Sequence, residues 1–126
     1  MVAPARFWTG CALAALLATV PASAAPPPNP DPALSGWFQS LSRPWRPGSG
    51  ATVKCCDIAD CRVTEFREAG DHYEVLIDQR FPGVRGRSWQ RVPERAIVEH
   101  TENPTGGAVA CWHDGEVFCF VRAQET

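Results

Sequence analysis

The sequence predicts a mainly β (α+β) domain: a small antiparallel sheet, partly rolled, with one short N-terminal helix and disulfide staples. Three observations carry this. Helical spacing of apolar residues is confined to one stretch, Leu34, Trp37, Phe38 and Leu41, while alternation dominates from Thr52 onward. The later cysteines fall into two groups, Cys55-Cys56-x4-Cys61 and Cys111-x7-Cys119. They follow an N-terminal segment built for export, and export to an oxidising compartment makes bridges the default state of such thiols.

That segment, residues 1–24, reads as a secretory signal peptide. Arg6 supplies the positive start, Phe7 to Val20 the apolar run, and Pro21-Ala22-Ser23-Ala24 the small residues of a cleavage site after Ala24. A retained membrane anchor is the weaker reading, because the run falls short of the ~20 residues that span a bilayer. No transmembrane anchor is therefore expected after processing. Cys11 precedes most of the apolar run, unlike a lipoprotein cysteine, and leaves with the signal. Loss of Arg6 takes the formal charge from −2 to −3.

Residues 25–32 hold five prolines, which remove backbone donors and favour extended geometry, so they form a stiff spacer. Residues 33–126 make one small domain. Ala33 to Leu41 is the amphipathic helix, ended by Pro44 and packed through Trp37 and Phe38, and Arg43 to Gly50 reads as loop. Arg62 to Arg67 and His72 to Asp78 read as a hairpin around Ala69-Gly70-Asp71, with Tyr73, Val75 and Ile77 on one face. Ser88 to Val92 is a third strand, and Pro93 opens a helical turn through Ala96. Asn103 to Gly107 is a loop, and Pro104 rules out glycosylation at Asn103. Asp114-Gly115 between two apolar runs gives the strongest hairpin signal in the chain, over Ala108 to Val121.

The disulfide candidates are Cys55, Cys56, Cys61, Cys111 and Cys119. Five is an odd number, so one thiol is left over or pairs elsewhere. Adjacent Cys55 and Cys56 point different ways, since a bridge between neighbours is strained. The first choice of pairing is Cys56 to Cys61 and Cys111 to Cys119, leaving Cys55; the rival joins Cys55 or Cys56 to the final hairpin. A Cys56–Cys61 bridge adds only ~2 kcal/mol by loop entropy, a Cys55–Cys111 bridge ~4. Cys111 faces Cys119 if the turn holds Asp114 to Glu116, whereas a turn of Asp114-Gly115 alone sets Ala110 opposite Cys119.

Three chemistries compete for these sulfurs. Structural bridges lead. Thiolates with His72, His100 or His113 would suit zinc or copper, but no C-x-x-C is present and the spacing fits no common zinc site. A reactive thiol is third, since Asp57 and Asp60 beside the first group raise a thiol pKa, with Lys54 and Arg62 offsetting this in part. Those two aspartates read as turn residues rather than an acid–base pair. No cofactor and no resident metal is expected.

Charge placement is the second signal. Arg80, Arg85, Arg87, Arg91 and Arg95 oppose the single acid Glu94 between positions 80 and 95. Arginine forks suit carboxylate or phosphate, and Trp89 offers a stacking face. Arg85, Arg87, Trp89 and Arg91 are thus candidates for binding an anionic envelope component, against the plainer reading of solvated strand edges. A net acidic exported chain argues against nucleic acid. No nucleophile elbow, phosphate-cradling loop or metalloprotease motif occurs.

Trp37-Phe38-x2-Leu41, Cys55-Cys56-Asp57-x2-Asp60-Cys61-Arg62, His72-Tyr73-Glu74-Val75, Val92-Pro93, Asn103-Pro104-Thr105-Gly106 and Cys119-Phe120-Val121 resemble a group of small exported proteobacterial proteins. The resemblance spans about Leu34 to Arg122 and implies a periplasmic or cell-envelope setting. It brings no catalytic residue with it. A non-enzymatic exported domain, binding or structural, is the expected function, with thiol/His metal binding as the alternative.

Overall fold

The computed structural model describes residues 32–124, with Val2 and Pro4; the rest of the expected signal peptide and nearly all of the proline-rich spacer lie outside the described residues. In chain order the elements are α1 (Pro32–Ser40), β1 (Ser42–Pro44), β2 (Thr52–Lys54), α2 (Cys55–Ile58) and β3 (Asp60–Thr64). There follow β4 (Phe66–Ala69), β5 (His72–Ile77), β6 (Ser88–Arg91), a 3-10 turn (Glu94–Ala96), β7 (Ala108–His113) and β8 (Glu116–Val121). All strand pairs within the sheets are antiparallel, in orders β1-β2, β3-β7-β8 and β4-β5-β6. The fold is the expected mainly β one, divided into three small sheets. No helix among the described residues is long and apolar enough to cross a membrane.

Sheet β3-β7-β8 is the middle layer, and its central strand shows why. On β7, Val109 and Cys111 face one cluster that holds Phe38, Leu41, Cys55 and Ala59, while Ala108 and Ala110 face another that holds Val75, Ile77, Phe81 and Phe120. Alternation along a strand sends successive side chains to opposite faces, and here both faces are covered. The unbroken apolar run Val117 to Val121 follows from the same burial on both sides. The helices close one face; sheet β4-β5-β6 closes the other.

Two expected elements differ. The Arg62 to Arg67 segment does not form one strand of a hairpin: β3 pairs with β7, and β4 pairs with β5. The partner changes at Glu65 because β7 runs out at Ala108, opposite Thr64, and beyond it the chain turns on to the second sheet. Two hydrogen bonds fix this corner, from Thr64 Oγ1 to the Leu76 carbonyl at 2.6 Å and from the Leu76 amide to the Glu65 carbonyl at 3.0 Å. Part of the expected Arg43 to Gly50 loop is also strand, since β1 pairs Arg43 with Val53 on β2.

Buried Arg43 lies across the Phe118 ring, 4.0 Å from its centroid, and one guanidinium nitrogen donates to the Pro44 carbonyl at 3.2 Å. Its Nε has no partner among the described residues. Trp37 and Phe38 dock α1 as expected, edge to face at 5.0 Å, and Trp37 Nε1 donates to the Glu102 carbonyl at 2.6 Å. The loop from Asn103 to Gly107 is held by one buried amide. Asn103 Nδ2 donates to the carbonyls of Gly107 and Arg122, and Oδ1 accepts from the Thr105 amide and hydroxyl. A Cβ at Gly107 would come within 2.8 Å of a Val63 methyl, so a larger residue there would have to displace the Val63 side chain.

The last hairpin turns on Asp114-Gly115 alone, both at positive φ (50° and 77°), as a two-residue turn demands. That turn by itself would set Ala110 opposite Cys119. A bulge restores the other register: Trp112 pairs with Val117, Cys111 with Cys119, and Phe118 is the extra residue. Phe118 and Cys119 consequently both face the helical layer.

Candidate functional site

The chemistry-bearing residues gather where α2 crosses the β3-β7-β8 sheet. Cys55 opens α2, tied by its amide to the Leu41 carbonyl at 2.9 Å. Consecutive helical residues project about 100° apart, so Cys55 and Cys56 diverge as the sequence predicts. Cys55 bonds Cys119 on β8, with Cα atoms 6.0 Å apart. Cys61 stands in register with Cys111 on the neighbouring strand and bonds it, with Cα atoms 3.9 Å apart. Cys56 is the free thiol among the described residues and is buried.

This overturns the first-choice pairing. Cys111 and Cys119 do face each other, but α2 lies over β8 and β3 lies beside β7, so each sulfur finds its partner outside the hairpin. The rival, Cys55 or Cys56 joined to the final hairpin, holds for Cys55–Cys119, whereas Cys61–Cys111 belongs to neither expected pairing. What sequence spacing could not supply was the β3–β7 register; local hairpin geometry was the wrong guide.

Cys56 has two close neighbours. Its Sγ donates to the Phe38 carbonyl at 3.3 Å and lies 2.8 Å from Cys61 Sγ. The sulfurs of Cys56, Cys61 and Cys111 all fall within 4.8 Å of one another and are all buried. Burial, and next the charge of Asp57, push the Cys56 thiol from 9.0 up to about 12; Asp60 adds to this and Arg62 opposes it. At neutral pH the group is a protonated thiol, not a nucleophile.

The sign of the resulting pH dependence is fixed. The folded state holds its proton to higher pH than the unfolded chain does, so this group contributes stability fully below about pH 9 and loses it progressively towards about 12. Denaturant midpoints measured from pH 8 upward are expected to fall for the wild-type chain and to fall less steeply for Cys56→Ala.

The histidines lie apart from the sulfurs. His72 on β5 is half-buried between Asp71 and Glu74, at 3.0 and 3.7 Å. His100 is exposed in a left-handed conformation (φ 58°), and exposed His113 ends β7 edge-on to Phe118. Among the described residues the group with metal-holding spacing is the three sulfurs alone.

The arginines separate into two sets. Arg80 is held by Asp78 through paired hydrogen bonds of 2.9 Å, which keep the Asp78 carboxyl below the usual carboxylate range. Arg95 pairs with Glu116 at 3.0 Å. On the outer face of β4-β5-β6, Arg67, Glu74 and Arg91 stand opposite one another in one row. Arg67 also covers the Trp89 ring at 4.2 Å, so one stacking face of that indole is already taken. Arg85 and Arg87 are exposed, with no ion pair among the described residues. Arg85 sits in a loop braced by Gln79, whose Nε2 donates to the Arg85 carbonyl at 3.1 Å.

Two open grooves flank the Ile97 to Thr101 segment. The larger, about 900 Å³, is lined by Tyr73, Phe120 and Arg122, and the smaller, about 530 Å³, by Ser40, Ser42 and Arg95. No motif in the sequence marks either one. Comparison with protein-family models, with curated proteins and with solved structures finds no match to this chain. Its class is thus defined by its own geometry: a three-layer, mainly β domain crosslinked by two disulfides, the mark of a non-cytoplasmic protein.

Proposed function

We propose that this chain is a non-enzymatic, exported domain of the periplasm or cell envelope that binds an anionic envelope component. The observation that carries the reading is the pair of long-range disulfides, at separations of 64 and 50 residues, behind a leader of signal-peptide composition. The binding surface is the loop bearing Arg85 and Arg87, which are exposed and make no ion pair among the described residues, with Arg91 beside it. Guanidinium forks at exposed positions suit phosphate and carboxylate.

The processed protein is expected to bind vesicles containing anionic phospholipid at low salt and to release them at high salt. Arg85→Ala/Arg87→Ala is expected to weaken that binding roughly thirtyfold, as two interactions of ~1 kcal/mol each would require, with unchanged thermal stability. An unchanged binding isotherm would remove this surface from the account.

A second reading has one observation in its favour, the three clustered sulfurs. They are soft ligands suited to copper or zinc. Metal would require the Cys61–Cys111 bond to be open and would place three thiolates in an apolar site near Asp57 and Asp60. Stoichiometric metal in protein purified from the envelope, with those cysteines reduced, would favour this reading over the first.

A further inference from the structure

A free thiol held against a disulfide needs no outside reagent to react with it. Cys56 Sγ touches Cys61 Sγ at 2.8 Å, while Cys61 is already bonded to Cys111. We infer that Cys56, Cys61 and Cys111 form an internal thiol–disulfide exchange site in which Cys61 can be bonded to either neighbour. The inference rests on the sulfur geometry and is independent of the proposed envelope role.

The step balances within the chain. Cys56 gives up its proton to solvent base, and the thiolate attacks Cys61 Sγ. A Cys56–Cys61 bond forms, the Cys61–Cys111 bond breaks, and the electron pair leaves on Cys111 Sγ, which takes up a proton. The Cys56 sulfur is oxidised from thiol to disulfide as the Cys111 sulfur is reduced from disulfide to thiol, so the chain needs no outside oxidant or reductant, and Cys55–Cys119 is untouched. The product contains the Cys56–Cys61 bridge that a reading of the spacing alone prefers.

The surroundings set when this happens. Phe38 of α1 offers Cys56 a carbonyl acceptor, and β7 offers the leaving sulfur of Cys111. The charged groups acting on Cys56 are Asp57 of α2, Asp60 and Arg62 of β3. Burial first, and then two acids against one base, hold the thiol protonated at neutral pH, so exchange is slow there. Below the thiol's pKa the exchange rate follows the thiolate fraction and rises about tenfold per pH unit. Releasing Cys111 removes the crosslink between β3 and β7, which are then held by their backbone ladder and packing alone, while α2 stays crosslinked to β8.

The test uses the full oxidised protein without reductant. Samples held near pH 7 and near pH 10 are quenched in acid, alkylated under denaturing conditions and mapped by peptide mass spectrometry. Alkylated Cys56 is expected near pH 7, and a growing fraction with alkylated Cys111 and a Cys56–Cys61 bridge near pH 10, at a rate independent of protein concentration. Alkylation confined to Cys56 at both pH values overturns the inference. A second arm uses Cys111→Ala, expressed with export. It should carry Cys56–Cys61 and Cys55–Cys119 bridges and no free thiol; a chain in which Cys56 and Cys61 both alkylate contradicts the inference. Cys56→Ala should keep its Cys61–Cys111 bond near pH 10, and loss of that bond would assign the change to another nucleophile.

Discussion

Replacing both ends of the Cys55–Cys119 bridge, Cys55→Ala/Cys119→Ala, is expected to lower stability by ~4 kcal/mol on the loop-entropy estimate for a closed segment of this length. A domain of this size loses roughly 4–8 °C per kcal/mol, so its melting temperature should drop by roughly 15–30 °C. Substituting both cysteines together adds no free thiol to the buried Cys56 already present. The Cys61–Cys111 bridge closes a segment nearly as long, and reducing both should remove most or all of a margin that for small domains is ~5–15 kcal/mol. Denaturant titrations of oxidised, singly bridged and fully reduced protein measure this. A doubly substituted chain within 1 kcal/mol of wild type would mean that packing, not crosslinking, holds the middle sheet to its helical cover.

Phe120→Ala is the other large expected loss, about 3–5 kcal/mol by comparison with buried phenylalanine truncations elsewhere. Phe120 is fully buried on β8 and faces the second sheet, its ring centroid 5.9 Å from Phe66 and 5.3 Å from Tyr73. These three rings join β8 to β4 and β5. Their loss leaves a cavity that the crosslinked sheet behind cannot collapse to fill, since its backbone is pinned through Cys119 next in sequence. The same variant should loosen β4-β5-β6 preferentially, which amide hydrogen exchange would show as faster exchange in β5 than in β7. Uniform acceleration in both strands would indicate that the two sheets unfold as one unit.

The fold class was legible because each local signal agreed with the one beside it. Leu34, Trp37, Phe38 and Leu41 have one period and the strands have another, and Asp114-Gly115 places a hairpin where the structure has one. The division into three sheets was not legible, because Arg62 to Arg67 alternates without interruption and nothing in that alternation says that the partner changes at Glu65. Pairing of the cysteines failed for a related reason. Cys61 meets Cys111 through a register between strands distant in sequence, and Cys111 meets Cys119 only because a bulge at Phe118 undoes the shift that the two-residue turn imposes.

The candidate site was legible in its members and not in its arrangement. All three clustered sulfurs were among the candidate cysteines, and the acids beside Cys56 act on its thiol in the direction their charge requires. That Cys56 rather than Cys55 is left over depends on which side of a four-residue helix faces β8, a matter of tertiary packing. Among the arginines, composition gave the positive run, but pairing with Asp78 and Glu116 removes Arg80 and Arg95 from it, and Arg67 takes one face of Trp89.

Two sequence-remote crosslinks hold this mainly β domain together around one buried thiol. A disulfide map of protein recovered from its native compartment and alkylated near neutral pH tests it directly. Linked peptides Cys55–Cys119 and Cys61–Cys111 with alkylated Cys56 are predicted; a map of Cys56–Cys61 with Cys111–Cys119, or fully alkylated cysteines, would contradict it.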